Sequence, residues 1–61
     1  MFISLTQTTG EKLEVNMNKV YFMKGNVDGT TTLYFSSNSF EYKEFVEGLE
    51  LIQSIVGIKN T

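Results

Sequence analysis

"KVYFMKGNVDGTTTLYFSS", residues 19–37, reads as two β-strands joined by a Gly-rich turn, and it decides how this 61-residue chain folds. A half-exposed strand alternates apolar and polar residues. Here Tyr21-Phe22-Met23 and Leu33-Tyr34-Phe35 are apolar at consecutive positions. Asp28-Gly29 is the signature of a two-residue type I′ turn. That turn predicts Val27 facing Thr30, Met23 facing Tyr34 and Phe22 facing Phe35. Val20, Phe22, Leu33 and Phe35 then share one face, and Tyr21, Met23, Thr32 and Tyr34 share the other. A longer loop from Gly25 to Gly29 shifts the register but leaves both faces apolar.

Outward from the hairpin, the chain divides into short segments. FISLT (Phe2–Thr6) is β-rich, and QTTGEK supplies a turn in which Gly10 takes positive φ. KLEVN (Lys12–Asn16) alternates cleanly, with Leu13 and Val15 on one side. The parity then breaks: Leu13, Val15 and Met17 are odd-numbered, whereas Val20 and Phe22 are even. A bulge or tight turn over Asn16–Lys19, helped by the tolerance of Asn for left-handed backbone, brings both sets to one core. A short turn at Ser37-Asn38-Ser39 leads to FEYK (Phe40–Lys43), where Phe40 and Tyr42 alternate with Glu41 and Lys43.

KEFVEGLELIQSIVG (Lys43–Gly57) has helical periodicity. Phe45, Leu49, Ile52 and Val56 form a stripe, and Gly48, Leu51 and Ile55 widen it. Glu44, Glu47 and Glu50 fall on the other side, where the early acids suit the helix dipole. Gly57 followed by Ile58 has the form of a left-handed C-cap. A start at Asn38, in a capping box with Glu41, is the competing boundary, but it puts Glu41 inside the apolar arc. The expected architecture is α+β: one domain over residues 1–61, an antiparallel meander of about five short strands that is barrel-like if it closes, and one C-terminal amphipathic helix.

Composition narrows the function. Sixty-one residues lie near the lower limit for independent folding, where disulfides, a metal or a partner subunit usually add burial. With no Cys and no His, disulfides and thiolate sites are excluded and the commonest metal ligand and general base are missing. Association is the remaining route. Five Lys, no Arg and seven acidic residues give a net charge of −2. The lysines are scattered among acids, which disfavours duplex nucleic acid as a partner. No apolar run approaches membrane-spanning length and no signal peptide is evident, so a cytoplasmic protein without a membrane partner is expected. The absence of Ala, Arg, Pro, Trp and His beside abundant Asn, Lys and Thr hints at an AT-rich microbial or viral genome.

A single helix covers one face of such a sheet, and the second face needs another cover. A second copy of the chain is the first candidate, which predicts a homo-oligomer. Tyr21, Met23, Lys24, Asn26, Thr32 and Tyr34 are the candidate interface or ligand residues, and Gly48, Leu51 and Ile55 the candidate oligomer face of the helix. Two uses of the aromatic face stand side by side. It is either a packed subunit interface or a pocket between subunits where tyrosines stack on a flat ring. In the second case Lys24, Asn26 and the Thr30-Thr31-Thr32 run add polar contacts. Stacking of that kind contributes about 1–3 kcal/mol per base in single-stranded nucleic acid complexes.

ISLTQTTGEKLEVN, the KVYFM strand and YKEFVEGLELI together resemble the small flagellar FlbD-like proteins and short phage-encoded relatives of that shape. The resemblance spans nearly the whole chain in common residue types. The chain departs from it at the Tyr/Phe-rich hairpin and in an extra C-terminal turn of helix. It implies a small β-meander with one helix, a bacterial or phage setting, and no catalytic residue. A fainter likeness to LytTR-type DNA-binding domains lacks the basic residues those use. In size and style the chain is also similar to phage proteins that sequester nucleotide signals of host defence as homo-oligomers.

No catalytic set emerges. A triad needs His or Cys, and GNVDG (Gly25–Gly29) lacks the spacing and Lys-Ser/Thr ending of a phosphate loop. Asn26 and Asp28 are too few for a Ca²⁺ loop and read as turn residues. Glu41, Glu44, Glu47 and Glu50 read as a solvated face. The expectation is a non-catalytic, homo-oligomeric binding or regulatory protein with no cofactor or metal, whose partner is another protein. The alternative is a sponge that sequesters a nucleotide or cyclic oligonucleotide at subunit interfaces.

Overall fold

The computed structural model describes residues 1–38 and 40–59, with Ile58 and Lys59 described by backbone alone. Five strands and one helix follow in order: β1 (Phe2–Thr6), β2 (Lys12–Asn16), β3 (Phe22–Gly25), β4 (Thr31–Tyr34), β5 (Tyr42–Phe45) and α1 (Leu49–Lys59). β1 and β2 form an antiparallel hairpin, and β3-β4-β5 form a separate antiparallel meander. The turn between β1 and β2 uses Gly10 at φ 96°, as its position demands.

The corner after β2 lies where the parity break puts it and is a tight turn, made without the left-handed Asn expected there. Met17–Lys19 form one turn of 3₁₀ helix, and Asn16 caps it by accepting the Asn18 N–H at 3.1 Å. No non-Gly residue adopts positive φ among the described residues, so left-handed Asn plays no part. The turn carries the chain from one sheet to the other, which is why β2 and β3 are not paired.

Among the described residues, the backbone bonds between the two sheets gather at one seam. Gln7 bridges Phe45, the Val46 N–H donates to the Thr6 carbonyl at 2.8 Å, and the Thr8 N–H donates to the Glu44 carbonyl at 3.2 Å. β1 thus touches β5 only at the C-terminal end of β5. The sheets splay elsewhere and do not close into a barrel.

That seam also corrects the helix. Residues 43–45 carry a helical apolar period, yet they form strand, because Phe45 pairs with Thr31 on one side and bridges Gln7 on the other. Backbone bonds to two strands outweigh the local helical preference. The last strand is Tyr42–Phe45 where FEYK predicts Phe40–Lys43, and the helix starts at Leu49, six residues later than expected. Gly48 precedes it, its carbonyl accepting the Ile52 N–H at 3.1 Å. The helix runs through Gly57 to Lys59 and Gly57 does not take positive φ, so the predicted C-cap is absent.

The core draws on almost every element: Ile3 and Leu5 from β1, Val15 from β2, Leu33 from β4, Phe45 from β5 and Ile52 from α1. Leu13, Met23, Ile55 and Val56 pack around it. Gly25 lets the helix dock closely, since a Cβ there would sit 3.3 Å from Leu49 Cδ2. The proposed oligomer face of the helix breaks up: Gly48 lies before the helix, Ile55 packs on the core, and Leu51 alone of the three is exposed.

Glu47 ties the seam together. Its carboxylate accepts the Thr6 N–H at 2.8 and 3.1 Å, and its carbonyl accepts the buried Thr31 hydroxyl at 2.7 Å. This acid is a structural acceptor, against its assignment to a solvated face; Glu41, Glu44 and Glu50 remain exposed. Burial pushes the Glu47 carboxyl up, but hydrogen bonds from Thr6 and its own backbone, with Lys12 nearby, hold it below the ordinary carboxylate value.

Two predictions follow from the seam and the core. Ile52→Ala removes a fully buried side chain, and a loss of about 2–5 kcal/mol in denaturant unfolding is expected. Because the Glu47 carboxyl is depressed in the fold, its contribution is complete above the unfolded value of about 4.3 and lost as pH falls through the lower folded value. Glu47→Gln keeps an acceptor without the charge. The melting-temperature gap between the two proteins should therefore be largest near neutrality and close in acid; a pH-independent gap would show that the charge contributes nothing.

Candidate functional site

The hairpin is built around Gly29 at φ 89°. The Gly29 N–H donates to the Asn26 carbonyl at 3.1 Å, and the Asn26 N–H donates to the Thr30 carbonyl at 2.8 Å. This is a three-residue loop, a type I turn followed by a left-handed glycine, in place of the predicted two-residue turn. Asp28 favours it: its Oδ1 accepts the Thr30 hydroxyl at 2.6 Å and the Thr30 N–H at 3.1 Å. The Thr30 hydroxyl, with the Thr30 N–H, holds the Asp28 carboxyl below its usual range.

The extra loop residue moves the register by one, and a one-residue slip exchanges the faces. Phe22 pairs with Tyr34, Met23 with Leu33, Lys24 with Thr32 and Gly25 with Thr31. Met23, predicted beside Tyr34, therefore turns inward with Leu33 and packs on the core. Phe22, predicted to be inside, turns outward and is 45% exposed. Tyr21 lies just outside β3, exposed, with its N–H donating to the Tyr34 carbonyl at 2.7 Å.

β5 continues the outer face. Tyr34 pairs with Tyr42 and Thr32 with Glu44. The result is a row of three aromatics across three neighbouring strands: Phe22, Tyr34 and Tyr42. The Phe22 and Tyr34 rings stack at 4.4 Å and 21°, and Tyr34 and Tyr42 are tilted at 6.0 Å and 42°. Tyr42 is 53% exposed. The next row is Lys24, Thr32 and Glu44, with a charge at each end and a buried hydroxyl between them. Helix α1 packs on the opposite face through Ile52, so no element of the described chain covers this one.

Of the six candidate residues on the hairpin, Lys24, Asn26, Thr32 and Tyr34 come together on this face, while Met23 and Tyr21 do not. Phe22 and Tyr42 are the residues that sequence reasoning missed. The polar groups are largely spoken for. The Asn26 side-chain amide donates to the hydroxyls of Thr30 (3.0 Å) and Thr32 (2.9 Å), and the Thr31 hydroxyl goes to Glu47. They brace the turn and leave little to offer a ligand. No group of three or more His, Cys, Asp or Glu among the described residues could hold a metal ion, and no described helix is long and apolar enough to cross a membrane.

Asn26→Ala should release the turn and leave the buried Thr32 hydroxyl without its donor. A loss of about 1–3 kcal/mol is expected in chemical denaturation, together with faster amide exchange at Gly29 and Thr30. No family model matches the chain, and neither a curated protein nor a solved structure matches it.

Proposed function

We propose that this chain is a non-catalytic binding protein that works as a homodimer, its two copies meeting through the outer face of the β3–β4–β5 sheet. The observation that carries this reading is the half-exposed Phe22–Tyr34–Tyr42 row on a face that the single helix leaves uncovered. Exposed contiguous aromatic surface on so small a domain favours association.

The pattern of the face is self-complementary. Two sheets packed face to face keep their strands within about 30° of each other. A two-fold axis running along β4 between facing copies brings Tyr34 over its own counterpart and Phe22 over the partner's Tyr42. The same operation brings Lys24 over the partner's Glu44, and it does so twice. Lys24 and Glu44 stand two strands apart in one chain, about 9–10 Å, so their complement lies in the second copy.

Non-catalytic work fits the same residues. The chain has no His or Cys, and Glu47, the acid drawn into the fold, is committed to the Thr6 N–H. A target protein is the partner we assign to the dimer. Sequestration of a nucleotide by this face is the weaker reading, because Asn26, Thr30 and Thr32 satisfy one another.

Native mass spectrometry and light scattering at low micromolar concentration test the dimer, which should give twice the 6.9 kDa chain mass. Tyr34→Glu buries an unpaired charge at the two-fold and should yield a monomer. Lys24→Glu places two acids opposite one another and should weaken the dimer, and adding Glu44→Lys should restore it. Both charged positions are exposed, so these variants keep the fold. A wild-type monomer with a cooperative melt would defeat self-association, and a double variant no tighter than Lys24→Glu would defeat this axis.

A further inference from the structure

Lys43 is misplaced for an ordinary strand. It pairs with Leu33 and stands two residues before Phe45, so it shares the inner face with two side chains that are fully buried. An ammonium enclosed there without a partner would be strongly unfavourable. Lys43 is instead exposed, because β1 reaches only the far end of β5. The sheets splay beside Lys43, and a cleft of about 250 Å³ opens between β2 and the Phe35–Lys43 end of the meander.

The walls of this cleft are apolar, formed by Leu13, Val15 and Phe35. Four polar side chains stand around them, and two are already engaged. Asn16 accepts the Asn18 N–H through its Oδ1, and Glu14 accepts the Ser4 hydroxyl. The other two are Lys19 and Lys43, neither of which has a hydrogen bond or ion pair from its side chain among the described residues. A second hollow of about 350 Å³ shares Phe35 and Lys43 and adds the rings of Phe40 and Tyr42. Each hollow carries one carboxylate, Glu41 in the second and Glu14 in the first, where it accepts the Ser4 hydroxyl; Lys43 lines both, and with Lys19 it makes the first hollow the one with two unengaged cations. The second hollow, at about 350 Å³, has the size of the smaller small-molecule sites, and the first, at about 250 Å³, falls just below them.

We propose that this groove binds a small planar anion, an aromatic ring bearing one phosphate or carboxylate. The ring lies against Phe35 with its edge toward Phe40 and Tyr42. The anionic group lies between the Lys19 and Lys43 ammoniums, which supply charge-assisted hydrogen bonds at the margin of an apolar wall. Tyr42 belongs both to this groove and to the dimer row, but the Leu13, Val15 and Phe35 wall and both cations lie off that row, so variants at Lys19 and Lys43 test this site without altering the dimer face. An inward-facing charge also discourages edge-to-edge aggregation, and the test separates that role from ligand binding.

The experiment is a titration of ¹⁵N-labelled protein followed by amide shifts, with adenosine 5′-monophosphate as the phosphate probe and indole-3-acetate as the carboxylate probe. Adenosine and indole are the uncharged counterparts. Saturable shifts confined to Leu13–Lys19, Phe35 and Tyr42–Lys43 are expected with at least one anion, and which anion binds tighter identifies the headgroup. Removing one charge-assisted contact should weaken binding about tenfold or more, so the uncharged counterparts and Lys43→Gln should both fall by that factor. Lys19→Gln is the second variant, on a residue exposed at the corner, and should act in the same direction with an unchanged melt. Unsaturable or scattered shifts, equal affinity for the uncharged counterparts, or full affinity in both variants would overturn the site. In particular, a Lys43→Gln protein that aggregates while Lys19→Gln binds both probes as tightly as wild type would leave Lys43 as an edge guard only.

Discussion

Everything in this molecule hangs on the seam where β1 meets β5. Thr6 gives its carbonyl to the Val46 N–H and its own N–H to the Glu47 carboxylate, while the Thr31 hydroxyl closes on the Glu47 carbonyl. These bonds join a two-stranded hairpin to a three-stranded meander that would otherwise be separate. Neither sheet could bury its apolar face alone at this chain length. With the seam formed, Ile3 and Leu5 meet Leu33 and Phe45 across it, and Ile52 seals the group from the helix.

The same seam sets what remains exposed. Because it is short, the sheets diverge beyond it, and the divergence creates the cleft beside Lys43. Because residues 43–45 are drawn into strand, the helix is confined to one side, and the opposite side keeps its aromatic row. A longer helix starting at Lys43 would have removed β5 and, with it, Tyr42 and Glu44 from the outer face. The proposed dimer surface and the proposed small-anion groove both derive from one local contest between helix and strand.

The hairpin offers a second lesson in scale. One residue more in the loop, held by Asp28 and the left-handed Gly29, exchanges the places of Phe22 and Met23. The Asp-Gly pair was legible, and so was the presence of two apolar faces. The side on which each aromatic falls was not, because both turn types use the same dipeptide and differ only in hydrogen bonds to Asn26 and Thr30. Four of the six hairpin candidates survive on one face for this reason, while the helix candidates Gly48, Leu51 and Ile55 scatter with the late helix start.

Local chemistry in the sequence by itself determined β1 and β2 to the residue, the turn at Gly10, the corner after Asn16, and the single helix with Ile52 at its centre. Those features rest on alternation, periodicity and backbone freedom, which act within a few residues. Tertiary structure alone decided that Phe45 is a strand residue, that Glu47 is a bracket between sheets, that the sheets stay open, and that Lys43, at an inner-face position, stays exposed beside a cleft. Each of these depends on partners ten or more residues away along the chain, and hydrogen bonds to Thr6, Thr8 and Thr31 outweigh the local preference of the segment that receives them.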